Sequence, residues 1–274
     1  MPLKLMYITN NKNIAGIADK NGVDRVWVDL ETLGKEERQK GLNTVKSHHR
    51  ISDIAIIKPV LKNAEMLVRV NPINENSKEE IEKVIQNGAD NIMLPMFKTK
   101  DEVEKFLNYI NGRTKNILLL ETKEAVENLD EILSVSGINE VHIGLNDLHL
   151  AYKRKFMFEL LTDGLVDKIC GTLKQKNLKF GFGGIARIGQ GILPAENILT
   201  EHYRLGSQAV ILSRSFCNYE GKSLEEIEKV FNTEVNRVRE YEKMLLSFTK
   251  TDFDNNRLKI IKLVHTIVST AREH

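Results

Sequence analysis

The stretch from Met66 to Pro95 decides the fold. It opens with Met66-Leu-Val-Arg-Val-Asn71, a short aliphatic run, and closes with a second, Asn91-Ile-Met-Leu-Pro95. Between them, Ser77-Lys-Glu-Glu80 reads as a capping box, and Ile81, Val84 and Ile85 form one apolar helical face. Asn87-Gly88 ends that helix, glycine suiting a left-handed cap. Strand, helix and strand make a βαβ unit, and such nearly continuous apolar runs suit strands buried on both faces of a parallel sheet.

Outward from this unit the design repeats. Upstream lie the runs 5–9 and 25–29, the latter Arg25-Val-Trp-Val-Asp29; downstream lie 116–121, 140–144, 179–184 and 209–213, which brings the count to eight. Helical spacing fills 101–110 before Asn111-Gly112 and 127–135 before Gly137. Eight strands alternating with helices over about 250 residues is the pattern of a (β/α)8 TIM barrel, whereas an open doubly wound sheet carries fewer strands. The barrel is expected over residues 1–220, with extra C-terminal helices over 221–274. Leu224, Ile227, Val230, Phe231, Val235, Val238 and Tyr241 share one apolar face, and Ile260, Ile261, Val264, Ile267 and Val268 another. These faces pack either on the barrel or on a neighbouring subunit; periodicity does not separate the two.

The chain has 274 residues, 41% hydrophobic and 28% charged, the composition of an ordinary globular protein. A net charge of +2 argues against a protein built to hold nucleic acid or an acidic membrane, and Lys153-Arg-Lys155, the one notable basic cluster, reads as a solvated helix start. The two cysteines, Cys170 and Cys217, cannot make a disulfide framework or a four-cysteine zinc site. No apolar run approaches the roughly 18–20 residues that span a bilayer. The first residues lack the features of a secretory signal, so the expected location is the cytoplasm.

Barrel enzymes gather their chemistry at the carboxyl ends of the strands. In order, those ends read Asp29-Leu-Glu31, Arg69-Val-Asn71, Pro95, Glu121-Thr122, Asn146-Asp147, Gly181-Phe-Gly-Gly184 and Ser213-Arg-Ser215. Glu121 and Asp147 close strands five and six, which in a parallel sheet sit about 4.8 Å apart. Carboxylates that close repel unless a cation lies between them, and Mg²⁺ or Mn²⁺ suits oxygen ligands. Alternatively, each caps the helix that follows it. Arg69, inside an apolar run, needs a carboxylate or enolate partner: a substrate, a salt bridge to Asp29 or Glu31, or both. Gly181, Gly183 and Gly184, with Ser213, Arg214 and Ser215, match the place where such barrels hold phosphate, although glycines there equally mark a bulge.

Among the histidines, His48-His49 follows strand two by a long loop that could reach the barrel mouth, and His149 follows the Asp147 turn. His142 reads as a packed core residue, and His202, His265 and His274 as structural or solvated. Lys98 and Lys123 lie beyond strands four and five, where a Schiff-base lysine is conceivable and a surface lysine commoner. Cys170 falls on an apolar helix face and reads as inert core; Cys217 has no evident base partner.

At these residues the sequence resembles the HpcH/HpaI aldolase and citrate lyase beta-subunit superfamily, a set of pyruvate-handling barrels. The matching pieces are Val28-Asp-Leu-Glu31, Val68-Arg-Val-Asn71, Gly88-Ala-Asp90, Leu94-Pro-Met96, Leu120-Glu-Thr122, Asn128-Leu-Asp-Glu-Ile132 and Gly144-Leu-Asn-Asp-Leu148, in the family's order over roughly residues 22–150. The resemblance implies a (β/α)8 barrel, often oligomeric through its C-terminal helices. It implies that Glu121 and Asp147 ligate a divalent metal, that Arg69 contacts a keto acid or enolate, and that Glu31 is the acidic residue of the strand-two motif. Thr32 stands where the aldolase branch carries histidine and the citrate lyase branch aspartate, so the general base is not inherited; His49 is the candidate.

The expected activity is a Mg²⁺- or Mn²⁺-dependent carbon–carbon lyase or aldolase acting on a 2-oxo acid through an enolate. Glu31, Arg69 and His49 are its candidate catalytic residues, and Asp29, Arg69, Gly183, Gly184 and Arg214 its candidate substrate contacts. An acyl-CoA lyase or thioesterase, a phosphorylated substrate, and a non-catalytic metal-binding barrel are the alternatives. The expected partners are a small 2-oxo acid or acyl-CoA and further copies of the chain in a homo-oligomer, with no nucleic acid and no membrane.

Overall fold

A computed structural model describes residues 2–34 and 49–270. Its strands are β1 (Lys4–Ile8), β2 (Arg25–Asp29), β3 (Glu65–Arg69), β4 (Asn91–Leu94), β5 (Lys115–Leu120), β6 (Glu140–Ile143), β7 (Lys179–Ile185) and β8 (Ala209–Leu212). They follow one another in sequence order around a closed barrel, with helices between them. Each apolar run of the sequence holds one strand, with ends moved by a residue or two. The chain divides into two compact units, residues 6–141 and residues 1–5 with 142–274.

In the first unit, β2 to β5 pair in parallel and bury Val26, Val28, Met66, Leu67, Val68, Ile92, Met93 and Leu118. A charged network closes the amino ends of these strands. Arg25 donates from Nε to Glu65 at 3.0 Å and from Nη1 and Nη2 to the two oxygens of Glu140 at 2.7 and 2.8 Å. Glu65 also accepts from Lys115 at 2.6 Å and from Asn91 at 3.2 Å. Burial would lower the Arg25 pKa, but Glu140 and Glu65 outweigh it and raise it.

Two helical expectations need correction in this unit. The helix Ser77–Gln86 forms without the expected capping box: its N-cap is Asn76, with no side-chain cap bond. Ser77 Oγ instead accepts from Asn74 N at 2.9 Å, and Glu80 is drawn away to Asn71, 2.8 Å from its Nδ2. The single helix expected over 127–135 is two short ones, Lys123–Glu127 and Leu129–Ile132. They break at Asn128, whose Nδ2 donates to the Lys98 carbonyl at 3.2 Å. The Lys100–Ile110 helix, by contrast, carries a full capping box between Thr99 and Glu102 and ends on left-handed Asn111.

In the second unit, β7 and β8 pair with a register shift between Gly181 and Gly184. A side chain at Gly181 would collide with Ala209 O and meet His142 Nδ1 at 2.7 Å, and Gly183 has φ +49°, so the bulge requires glycine at both places. The helix Leu224–Leu245 buries Ile227, Phe231, Val235, Val238 and Leu245. Its Glu242 accepts from Leu3 N at 2.6 Å, and Arg239 donates to Leu3 O at 2.8 Å. The helix Lys250–Thr270 buries Ile260 and Val264 and is pinned by Arg257, which pairs with Asp167 at 3.1 Å and with Glu201 at 3.4 Å. Leu258 and Ile261 remain exposed on it. Among the described residues no helix is long and apolar enough to cross a membrane.

Candidate functional site

The ladder of β2 and β3 sets Asp29 directly opposite Arg69 at the carboxyl ends of both strands. Strand alternation keeps Asp29 on the same face as Trp27 and Arg25. Arg69 donates from Nε to Asp29 Oδ1 at 2.8 Å and from Nη2 to Asp29 Oδ2 at 2.9 Å, a bidentate pair. Nη2 also lies 3.2 Å from Glu31 Oε2, and the guanidinium carbon stands 5.1 Å from the Trp27 ring centre. The salt bridge expected with Asp29 or Glu31 is therefore made with both. Among the described residues, the hydrogen bonds of Arg69 run from Nε and Nη2, which leaves the Nη1 protons for a further acceptor. Burial would lower the Arg69 pKa; Asp29, Glu31 and then Glu121 outweigh it and raise it, so the group is a fixed cation.

Glu121 follows β5, buried at 3% exposure, and its Oε1 accepts from Met96 N at 3.2 Å. Met96 holds a left-handed φ of 54°, a conformation that costs a residue with a Cβ on the order of 1–3 kcal/mol. The β4 exit is further fastened to the β5 exit by Thr122, whose hydroxyl donates to Phe97 O at 2.7 Å and accepts from Ala125 N at 3.1 Å. Thr122, and not Glu121, thus caps the helix that follows.

The exits of β2 and β3 are also tied. Asn71 Oδ1 accepts from Thr32 N at 2.9 Å, from Leu33 N at 3.0 Å and from Thr32 Oγ1 at 3.3 Å. His49, half-buried, accepts at Nδ1 from Asp29 N at 2.9 Å. An imidazole that accepts at Nδ1 carries its neutral-state proton on Nε2. His48 and His274 lie outside the described residues.

In the second unit, Asp147 stands half-buried in the first turn of the Leu145–Ala151 helix, whose N-cap, Gly144, makes no side-chain cap bond. His149 bonds back to Leu145 O at 3.2 Å. Gly183 and Gly184 form the β7 bulge, and Arg214 begins an exposed turn in which the Ser213 and Ser215 hydroxyls lie 2.8 Å apart. His142 is buried, with Nε2 3.2 Å from Gly183 O. His202 is buried as well; it is stacked on Phe182 at 3.8 Å and bonded to Ser207 at 2.7 Å. His265 is exposed.

The two lysines weighed for a Schiff base are exposed ion-pair partners in the first unit, Lys98 with Glu124 at 3.1 Å and Lys123 with Glu127 at 3.5 Å. Burial pushes the Cys170 thiol up to about 12 and also raises Cys217, which makes both poor nucleophiles. Among the described residues no group of three or more His, Cys, Asp or Glu side chains is arranged to hold a metal ion by itself. Three contributors escaped the sequence reading. Trp27 looked like core, Glu80 like a cap, and Asn71 like the end of a strand; only the polar-apolar-polar spacing Arg69-Val-Asn71 hinted at the last.

Fold and site together define a (β/α)8 barrel with an arginine held by two carboxylates at the carboxyl ends of its strands. The chain belongs to the HpcH/HpaI aldolase/citrate lyase family, whose model matches residues 4–159. It is 26% identical over 168 residues to a 2-keto-3-deoxy-L-rhamnonate aldolase of Escherichia coli O17:K52:H18 (strain UMN026 / ExPEC), a match covering 49% of this chain and 56% of that relative. The chain thus spans little more than half the length of the curated relative. Among solved structures, an HpcH/HpaI aldolase from Desulfitobacterium hafniense DCB-2 superposes with a TM-score of 0.60 at 14% identity, covering 87% of this chain and 93% of the other. An HpcH/HpaI aldolase/citrate lyase family protein from Burkholderia cenocepacia J2315 gives 0.62 at 13% identity, covering 88% and 95%. Both structural likenesses show the fold.

Proposed function

We propose that the protein is a lyase of the aldolase type that cleaves a carbon–carbon bond in the aldol of a 2-oxo acid by way of an enolate. The observation that carries this reading is Arg69: a half-buried cation, oriented by Asp29 and Glu31, with Nη1 protons left to meet an oxyanion. Membership of the family and the aldolase names of the relatives support it.

Glu121 and Asp147 are the residues we assign to a divalent ion, on the strength of their motifs. Their chemistry fits: hard carboxylate oxygens suit Mg²⁺ or Mn²⁺, and Glu121 sets a carboxylate in a buried position at the end of β5. Such an ion, when bound, supplies Lewis-acid polarisation of the developing enolate. Arg69 binds and orients the acid and balances negative charge as the bond breaks. Asp29 and Glu31 hold the guanidinium plane still, so that no reorganisation is needed at that moment. His49, which carries its proton on Nε2, is assigned the proton transfer, and Gly183, Gly184 and Arg214 the far end of the substrate. A homo-oligomer in the cytoplasm is part of the same reading.

The test is a screen of 2-oxo acid aldols for release of pyruvate, with and without chelator. Metal-dependent pyruvate release that is lost in Arg69→Lys supports the proposal; full activity in excess chelator sinks it. A second reading, cleavage of an acyl-CoA thioester, is favoured by the citrate lyase side of the matched family; thioester-dependent release of free thiol or acetyl-CoA identifies it.

A further inference from the structure

We propose that Asn71 is a positioning residue: its carboxamide clamps the exit of β2 to the exit of β3 and so fixes Glu31 against Arg69. The inference rests on the reading of Arg69 as the acid-binding group.

The clamp uses both ends of the amide. Oδ1 takes the three donors of Thr32 and Leu33, at 2.9, 3.0 and 3.3 Å. Nδ2 donates to Glu80 Oε1 at 2.8 Å and to Leu30 O at 3.3 Å, and the Asn71 backbone N–H adds contacts to Glu80 at 3.3 and 3.4 Å. Amide orientation follows from these partners: two backbone N–H groups must face the oxygen, and a carbonyl and a carboxylate must face the nitrogen. Asp29 and Arg69 are paired on the ladder itself, and Leu30 N still bonds Arg69 O at 2.9 Å. Beyond Leu30 the ladder ends, yet Glu31 must be held within 3.2 Å of Arg69. Its own N–H reaches Asp29 Oδ1 at 3.2 Å, and the two residues after it are held by Asn71. Glu31 is therefore fixed from both sides, by Asp29 before it and by the clamp after it.

Two oddities fall into place. Thr32, which departs from both branches of the family, directs its hydroxyl and its N–H to Asn71, the role of a fastener rather than of a base. Glu80 leaves the capping box its sequence predicts because Asn71 recruits it, although burial raises its pKa against the bonds from Asn71 that lower it.

The clamp predicts a charge-specific defect with a specific rescue. Asn71→Asp keeps size and the oxygen that faces Thr32 but sets a second oxygen against Glu80 and the Leu30 carbonyl. Glu80→Gln added to it restores a donor across that gap. Two signals are read in the 274-residue chain with Mg²⁺ present. They are the affinity for oxalate by calorimetry and solvent exchange of the Arg69 Nε–H by NMR, assigned with Arg69→Lys. Asn71→Asp is expected to weaken oxalate by about tenfold, the scale of one hydrogen bond to a charged group, and to speed exchange at Arg69. The double variant recovers both, and Mg²⁺ affinity without oxalate stays at the wild-type value throughout. Unchanged Arg69 exchange and oxalate affinity in Asn71→Asp overturn the proposal, as does a double variant no better than the single one. Should Asn71→Asp fail to fold, Asn71→Ala is read for faster amide exchange at Thr32 and Leu33 and at Arg69; protection unaltered there refutes the clamp. A wild-type protein that binds no oxalate defeats the reading of Arg69 as the acid-binding group, while the exchange of Arg69 still decides the clamp.

Discussion

The same two strands carry two arginine–carboxylate clusters, one at each end, with the polarity exchanged. At the amino ends β2 supplies Arg25 and β3 supplies Glu65; at the carboxyl ends β2 supplies Asp29 and β3 supplies Arg69. Burial is similar, with the Arg25 side chain 3% exposed and the Arg69 side chain 12%. Saturation is what differs. Every nitrogen of the Arg25 guanidinium donates to a carboxylate, Nε to Glu65 and both Nη to Glu140. In Arg69, Nε and Nη2 are engaged and Nη1 makes no hydrogen bond to a described residue. A filled cluster serves stability, whereas one with an open donor edge is equipped to bind. In this family's fold the chemistry belongs to the carboxyl end and the structural plug to the other.

That contrast breaks most visibly at the filled end. Glu140→Ala leaves Arg25 buried with half its partners gone, and denaturant unfolding should show a loss of about 3–5 kcal/mol. Oxalate affinity in the folded fraction should stay as it was; a loss of binding equal to that of an Arg69 variant would erase the distinction. Arg69→Lys keeps the charge but not the fork. It is expected to weaken oxalate by roughly ten- to a hundredfold, worth about 1.4–2.8 kcal/mol, with a smaller change in stability. Arg25→Lys should show the reverse ranking of the two readouts.

A buried polar group that is neutral sharpens the comparison further. Burial, and after it the nearby His142, holds the His202 pKa well below the ordinary histidine value. The unfolded chain takes up that proton as pH falls through about 6.5, while the folded chain does not. Stability present above that range is therefore lost as pH drops below it. Unfolding midpoints of His202→Gln should fall less steeply between neutral and mildly acidic pH than those of the wild type; equal slopes refute the assignment. The smallest effect is expected for Trp27→Phe, which keeps an aromatic face under Arg69. Oxalate affinity should change by no more than about 1 kcal/mol, the scale of a cation–π contact.

The barrel was legible because its strands are buried on both faces, which writes them as apolar runs such as Ile117-Leu-Leu-Leu120. The short helices were less so. The break at Asn128 depends on a carbonyl thirty positions upstream, Lys98, and no local pattern announces such a contact. At the site, Arg69 stood out as a cation in an apolar run, and Asp29 and Glu31 as its only near carboxylates on the preceding strand. The Asn71 clamp was hidden for a related reason. Ser77-Lys-Glu-Glu80 satisfies the local rule for a cap, and a tertiary partner outbid it for Glu80. Gly181 to Gly184 left phosphate loop and bulge equally open; the register shift against β8 shows the bulge.

The central claim is that Arg69 and Glu121 belong to one enolate-binding site that works with a divalent ion. It is tested most directly by titrating Mn²⁺ into chelator-stripped protein by calorimetry, with and without oxalate, and with Glu121→Ala as the control. The account predicts that Mn²⁺ and oxalate each strengthen the binding of the other, and that this linkage disappears in Glu121→Ala. Oxalate that binds equally well with and without Mn²⁺, or a linkage that survives in Glu121→Ala, would contradict it.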